Sequence, residues 1–209
     1  MNFLKALKNK KRKAVLQKLK IAIGDLKHGT IGKHSVYMPI GIGYIASYTL
    51  AQFRSNEIEI RMYTEPNELI EAITNWKPSV LALSNYCWNN EISRTVFNYA
   101  KKLNQSVVCV AGGPNFPNDL GQCKEYLSMR TDIDFYVYLE GEVPFGKLIK
   151  KIKNGVGIDS LKSEPQEGVM SIHPKTCELV VGEETPRIEN MDIILSPYLS
   201  GLMDKWFDG

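Results

Sequence analysis

Residues 79–111 read SVLALSNYCWNNEISRTVFNYAKKLNQSVVCVA. Two short, continuously apolar runs, SVLALS (79–84) and SVVCVA (106–111), enclose a segment at 90–103. In that segment Ile92, Val96, Tyr99, Ala100 and Leu103 recur at helical spacing. A short apolar run bounded by polar ends suits a strand covered on both faces. Such strands alternating with helices build a parallel sheet with helices on either side.

The same unit recurs outward in both directions. Upstream, KIAIGD (20–25) reads as a buried strand ending in a turn. PIGIGYIASYTLAQF (39–53) reads as a helix, with Pro39 near its start and Ile42, Ile45, Ala46, Tyr48, Thr49 and Phe53 near helical spacing. Residues 57–63 alternate Ile58, Ile60 and Met62 with polar neighbours, which predicts a strand nearer the sheet edge. Residues 66–76 place Leu69, Ile70, Ile73 and Trp76 on one helical face. Downstream follow a helix at 119–129, a fifth strand DFYVYL (134–139) and a fifth helix at 143–152. With right-handed crossovers these five units predict an α/β fold, a doubly wound five-stranded parallel sheet over residues 20–153.

Outside that domain the rhythm stops. Residues 1–19 form a basic leader. Residues 154–209 read as a linker (155–168), a small C-terminal hairpin (168–172 and 177–182, around 173–176) and a connector toward something beyond this chain. Of the 209 residues, 44% are hydrophobic and 23% charged, which is ordinary globular composition. No run approaches the ~18 apolar residues a spanning helix needs. Cys87, Cys109, Cys123 and Cys177 have neither disulfide-framework nor zinc spacing, which fits a reducing cytoplasm.

The formal charge of +3 hides an asymmetry. Eight of the 26 basic residues, among them Lys5, Lys10, Lys11, Arg12 and Lys13, lie in the first twenty positions, with no acid beside them. No apolar stretch with a small-residue cleavage site follows, so the leader is no signal peptide. A basic leader could touch nucleic acid or an anionic membrane surface. The simpler reading is a solvated, partly helical extension that rests Leu4, Leu7 and Leu16 on something. Aromatics do not interleave with the lysines, which makes nucleic acid an unlikely partner.

Ligands of open parallel sheets bind beyond the carboxyl ends of the strands. The loops there are 25–38, 64–65, 85–89, 112–118 and 140–142. The first is about fourteen residues long, a length that usually carries function. It contains no G-x-x-x-x-G-K-[ST] and no G-x-G-x-x-G, which argues against nucleotide hydrolysis and a standard NAD site. Gly41-Ile42-Gly43 opens the next helix and reads as close helix–sheet packing. In the loop after the third strand, Ser84, Asn85 and Trp88 supply a hydroxyl, an amide and a flat ring. After the fourth, Gly112 and Gly113 let backbone approach a bulky ligand, Pro114 and Pro117 stiffen the loop, and Asn115 lies between them. After the fifth, Glu140 and Glu142 flank Gly141. They could accept hydrogen bonds from ligand amides, or Glu142 could simply complement a helix N-terminus.

Taken in order, PIGIGYIA (39–46), LALSNYCWN (81–89), AGGPNF (111–116), DFYVYLEGEVPF (134–145) and SPYLSG (196–201) resemble the N-terminal half of cobalamin-dependent radical S-adenosylmethionine enzymes. The resemblance covers about residues 20–205. It implies a flavodoxin-like cobalamin-binding domain followed by a linker and a barrel. That barrel carries S-adenosylmethionine and an iron–sulfur (4Fe-4S) cluster on a Cys-x-x-x-Cys-x-x-Cys motif. None of the four cysteines here has that spacing, so the resemblance implies a corrinoid module whose partner is a radical domain outside this chain, not catalytic alone. The chemistry implied is methyl transfer or a related radical reaction, with the cofactor performing it.

The resemblance also implies site residues. The nucleotide tail of cobalamin lies between the loops at 84–88 and 112–116, where Ser84, Gly112, Gly113 and Gly141 give room. The corrin lies over the first loop and the 140–142 turn, its amides facing Glu140 and Glu142. Many cobalamin domains set a His on cobalt through D-x-H-x-x-G. DLKHG (25–29) holds those residue types at a different spacing and makes His28 the candidate cobalt ligand, ahead of His34 and His173. Two other readings of the sheet are a signalling receiver and the nucleotide-sugar half of a glycosyltransferase. A receiver wants an acidic cluster after the first strand, where Asp25 stands alone, and an Asp where Ser84 and Asn85 stand.

Overall fold

The computed structural model describes residues 18–28 and 38–207. The leader residues 1–17, the bulk of the first loop with His34, and residues 208–209 lie outside these.

The described residues form one sheet in the order β2-β1-β3-β4-β5-β6-β7. Strands β1 (Leu19–Gly24), β2 (Ile58–Tyr63), β3 (Val80–Ser84), β4 (Val108–Gly112) and β5 (Phe135–Val137) are mutually parallel. Their order is the one-switch doubly wound arrangement of flavodoxin-type sheets. The reversal lies at β1 and β3, so the carboxyl ends of those strands diverge into a crevice.

The expected five-stranded parallel sheet is corrected to a seven-stranded mixed one. The segment read as a separate hairpin supplies β6 (Val169–Ile172) and β7 (Leu179–Val181). β6 pairs antiparallel with β5 through Tyr136–Met170 and Val137–Val169, and β7 pairs antiparallel with β6. The physical reason is the edge of β5. A three-residue strand there would leave unpaired amides and carbonyls, and a hairpin that follows in the chain covers them. The linker is likewise not all loop. It carries a short helix, α6 (Ile158–Ser163), whose Leu161 is buried.

Side chains alternate cleanly between two cores, as period-two strands demand. On one face Ile21, Ile23, Val80, Ala82, Val108, Val110, Phe135 and Val137 pack under α1 (Ile40–Ala51) and α5 (Glu142–Lys153). On the other Ala22, Leu81, Leu83, Cys109, Ala111 and Tyr136 pack under α2 (Pro66–Asn75), α3 (Asn90–Leu103) and α4 (Leu120–Ser128).

Helix α1, IGIGYIASYTLA, has no charged residue, and its amphipathic stripe is weak. The structure explains why. The C-terminal segment folds back over α1, so the helix is covered on two sides. Met203 is fully buried, and a side chain at Gly43 would meet both Met203 and Pro197. Ser47 donates to the Leu195 carbonyl at 2.5 Å. Farther on, Lys205 donates to the Met62 carbonyl at 2.6 Å, and the Trp206 indole to the Thr64 hydroxyl. The residues read as a connector thus build part of the first core. Among the described residues no helix is long and apolar enough to cross a membrane. All four cysteines are free.

Candidate functional site

A hollow of about 760 Å³ opens at the carboxyl ends of the strands. Its floor is apolar, made of Ile23, Ala82, Val110 and Val137 on the α1/α5 face of the sheet. Its walls are Gly41, Ile42 and Ile45 at the start of α1 and Gly141 and Phe145 at the start of α5. Met170, Val181 and Gly182 of the hairpin region close one side. Around the lip stand Asp25, Ser84, Tyr86, Glu140, Glu142 and Glu184. The volume falls in the range of small-molecule and cofactor sites, and an apolar interior with a few polar groups at the mouth is their usual chemistry.

Of the residues singled out in the sequence, Ser84, Gly112, Gly113, Pro114, Glu140, Gly141 and Glu142 line this hollow. Asn85, Trp88 and Asn115 do not. Asn85 is buried and acts as a clasp. Its Nδ2 donates to the Asn115 carbonyl at 2.6 Å, to the Tyr126 hydroxyl at 2.9 Å and to the Tyr136 hydroxyl at 3.0 Å. Asn115 Nδ2 donates back to Asn85 Oδ1. Backbone bonds add to this, Asn85 N to the Gly112 carbonyl and Asn115 N to the Asn85 carbonyl. The loops at 84–88 and 112–116 are therefore joined at Asn85 and Asn115, while Ser84, Tyr86, Gly112, Gly113, Pro114 and Phe116 of the same loops line the hollow. From these loop residues the hollow extends over the sheet face between α1 and α5.

The glycines that line the hollow also lie close to other protein atoms. A Cβ at Gly113 would sit 2.7 Å from the Asn85 oxygen, and its φ of +126° is one that other residues rarely adopt. A Cβ at Gly112 would sit 3.0 Å from the Val137 carbonyl oxygen, and one at Gly141 3.0 Å from Ile45. At these three, close protein neighbours leave no room for a side chain, although each also lines the hollow. Gly41 differs. It lines the hollow, and a Cβ there would meet nothing within 4 Å. Gly113→Ala is accordingly expected to destabilise the fold by about 2 kcal/mol through backbone strain and unzipping of the two loops. Chemical denaturation checks this, and an unchanged midpoint would contradict the close approach.

Asp25 and Ser84 form a polar corner under the lip. Ser84 Oγ donates to Asp25 Oδ1 at 2.5 Å, and Asn89 Nδ2 donates to both, at 3.1 Å to Asp25 and 2.9 Å to Ser84. Asn89 in turn accepts from the Tyr86 amide, which fixes the turn carrying Tyr86 and Trp88. Those two rings stack at 4.4 Å, with Trp88 half-exposed. Burial raises the Tyr86 phenol above its ordinary value, and the Asp25 carboxylate adds to the rise, so the hydroxyl stays protonated. Burial likewise pushes up the Tyr126 and Tyr136 phenols around the Asn85 clasp.

His28 does not line the hollow. Its Nε2 lies 2.5 Å from the Trp88 carbonyl oxygen. His173 accepts from the Lys175 and Thr176 amides in the hairpin turn. Among the described residues no cluster of three or more His, Cys, Asp or Glu is placed to hold a metal. Sequence reasoning found Gly141 and Glu142 at the start of α5 but missed Phe145, the wall from α1 and the contribution of the hairpin. The one available signal was the uncharged run at 40–51.

No protein-family model matches the chain. A 2-(S-pantetheinyl)-carbapenam-3-carboxylate methyltransferase of Streptantibioticus cattleyicolor is 32% identical over 141 residues, covering 66% of this chain and 18% of that protein. The cobalamin-dependent radical SAM methyltransferase TokK of Streptomyces tokunonensis is 27% identical over 176 residues, covering 80% of this chain and 24% of TokK. Among solved structures, the cobalamin-dependent S-adenosylmethionine radical enzyme OxsB, with aqua-cobalamin and S-adenosylmethionine bound, shares the fold. Its TM-score is 0.64 at 13% identity, over 91% of this chain and 26% of OxsB. The chain spans about a quarter or less of the length of these proteins. It is related in sequence to one segment of such radical enzymes, as the loop motifs imply, and has the fold of the matching segment of OxsB.

Proposed function

We propose that this chain is a cobalamin-binding module that presents the corrinoid to a radical S-adenosylmethionine domain. The observation that carries this reading is the hollow between α1 and α5. Its apolar floor and the glycines and apolar side chains of its walls suit the aromatic base of the cofactor's nucleotide tail. Its lip of Asp25, Ser84, Glu140, Glu142 and Glu184 suits ribose hydroxyls and amides, because carboxylates accept hydrogen bonds from such donors. Ile23, Ile45, Ala82, Val110, Val137 and Phe145 would hold the base by burial and exclude water. Ser84, held by Asp25 and Asn89, would keep the mouth in register. When bound, cobalamin supplies cobalt chemistry for methyl transfer or a related radical reaction.

Asn85 and Asn115 act as supports in this reading, and Trp88 as a solvent-facing ring beside the mouth. His28, already engaged by the Trp88 carbonyl, is not offered as a cobalt ligand. Residues 20–153 would form the cofactor domain, residues 154–207 would complete it, and the iron–sulfur cluster and S-adenosylmethionine would belong to a partner radical domain, in the same gene or a separate chain. Four free cysteines suit a cytoplasmic setting.

The test is direct. The purified chain is mixed with hydroxocobalamin, desalted, and its visible spectrum recorded. Stoichiometric retention of corrinoid absorbance is expected. Passage of all colour into the small-molecule fraction would defeat the reading.

A further inference from the structure

Among the described residues three non-glycine ones adopt left-handed backbone, Lys77, Leu139 and Cys177, each with φ near +57°. Two have ordinary causes. Lys77 follows the end of α2 and donates its amide to the Ala72 carbonyl, a helix-terminating turn. Cys177 donates to the His173 carbonyl within the hairpin turn. Leu139 belongs to neither. It lies between β5 and α5, where the Tyr138 amide is held by the Gly168 carbonyl and the Tyr138 hydroxyl by the Gly182 carbonyl. Helix α5 then starts at Glu142. The chain must turn within a few residues, and a glycine or asparagine would do so with less strain.

The leucine is also misplaced by solvation. It is 69% exposed, yet it lines the hollow. Leu120, on the rim of the same hollow, is 57% exposed. Strained backbone and a large exposed apolar side chain at one mouth both cost stability in the free chain. Such features persist where a bound ligand makes use of them.

We infer that Leu139, supported by Leu120, is a binding residue that packs against the apolar, methyl-bearing edge of the corrin ring. This rests on the cobalamin reading above. Loss of the leucine's burial against the ring corresponds to about a tenfold change in affinity.

Leu139→Asn tests this, because asparagine tolerates left-handed backbone but offers no apolar surface. Its hydroxocobalamin Kd, measured by equilibrium dialysis on the full chain, is expected to rise about tenfold. Its melting temperature should stay level or rise. Leu139→Met, apolar but unbranched, should bind within about threefold of the unaltered chain. A purely structural role would instead lower melting temperature and affinity together. An unchanged Kd in Leu139→Asn, or equal loss in both variants, overturns the inference and leaves the cobalamin reading standing. Failure of the unaltered chain to retain cobalamin removes that reading, and this inference with it.

Discussion

Gly41→Trp is expected to abolish cobalamin retention while leaving the fold intact. Gly41 stands in the first turn of α1 and lines the hollow, and a Cβ built on it meets no atom within 4 Å. An indole there has free space to enter, and that space is the one the cofactor's tail would occupy. Removing a glycine from a helix also returns up to about 1 kcal/mol of backbone entropy, so no loss of stability offsets the steric effect. The dissociation constant should rise at least about a hundredfold, roughly 2.7 kcal/mol, with the melting temperature within about 2 °C of the unaltered chain. Equilibrium dialysis and a thermal melt on the same preparation read both quantities. A Kd within about threefold would mean that the cofactor lies elsewhere.

Gly182→Ala has the largest expected effect on stability. A Cβ at Gly182 would sit 1.6 Å from the Gln166 carbonyl oxygen and 2.3 Å from its carbon. Both are backbone atoms, so no side-chain rotation relieves the overlap. The hairpin must move away from residues 166–168, which breaks the bond from the Gly182 amide to the Val169 carbonyl and the one from the Gly168 amide to the Glu183 carbonyl. It also releases the Tyr138 hydroxyl from the Gly182 carbonyl. A loss of about 4 kcal/mol follows, near the upper end for single substitutions. For a chain of this size that is a fall of roughly 10 °C in melting temperature. Because Val181 and Gly182 help close the hollow, cobalamin affinity should fall as well. A melt that coincides with the unaltered chain would show that β7 is not held against residue 166 in this way.

The five strand–helix units were legible because each carries its own periodicity. Val80–Ser84 and Val108–Gly112 are covered on both faces, and their sequences are accordingly apolar at nearly every position. Ile58–Tyr63 is the edge strand that its alternation predicted. The hairpin was legible as two strands, but its docking on β5 was not. Which edge a strand joins depends on an open partner, and Phe135–Val137 does not advertise its edge in three residues. The loops at the strand ends were found from topology alone. The roles inside them were not. Asn85 looks like a ligand group by type, yet its amide is consumed by Asn115, Tyr126 and Tyr136, residues 30 to 51 positions away. The glycine pair 112–113 looks like room for a ligand. In the fold both line the hollow, and they also pass close to Val137 and Asn85 respectively, which the sequence did not show.

The amino-acid order by itself determined the alternation of strands and helices, the parallel core, and the end of the sheet at which the hollow opens. Those follow from local burial and chain connectivity. The tertiary structure alone decided where the hollow lies. A cavity is the space that packed elements fail to fill. Here its walls come from Ile42 and Phe145, a hundred residues apart in the chain, and its side from a hairpin later still. It also decided which small residues face open space, because that depends on what stands opposite each one. At Gly113 a backbone carbonyl does, and at Gly41 nothing does.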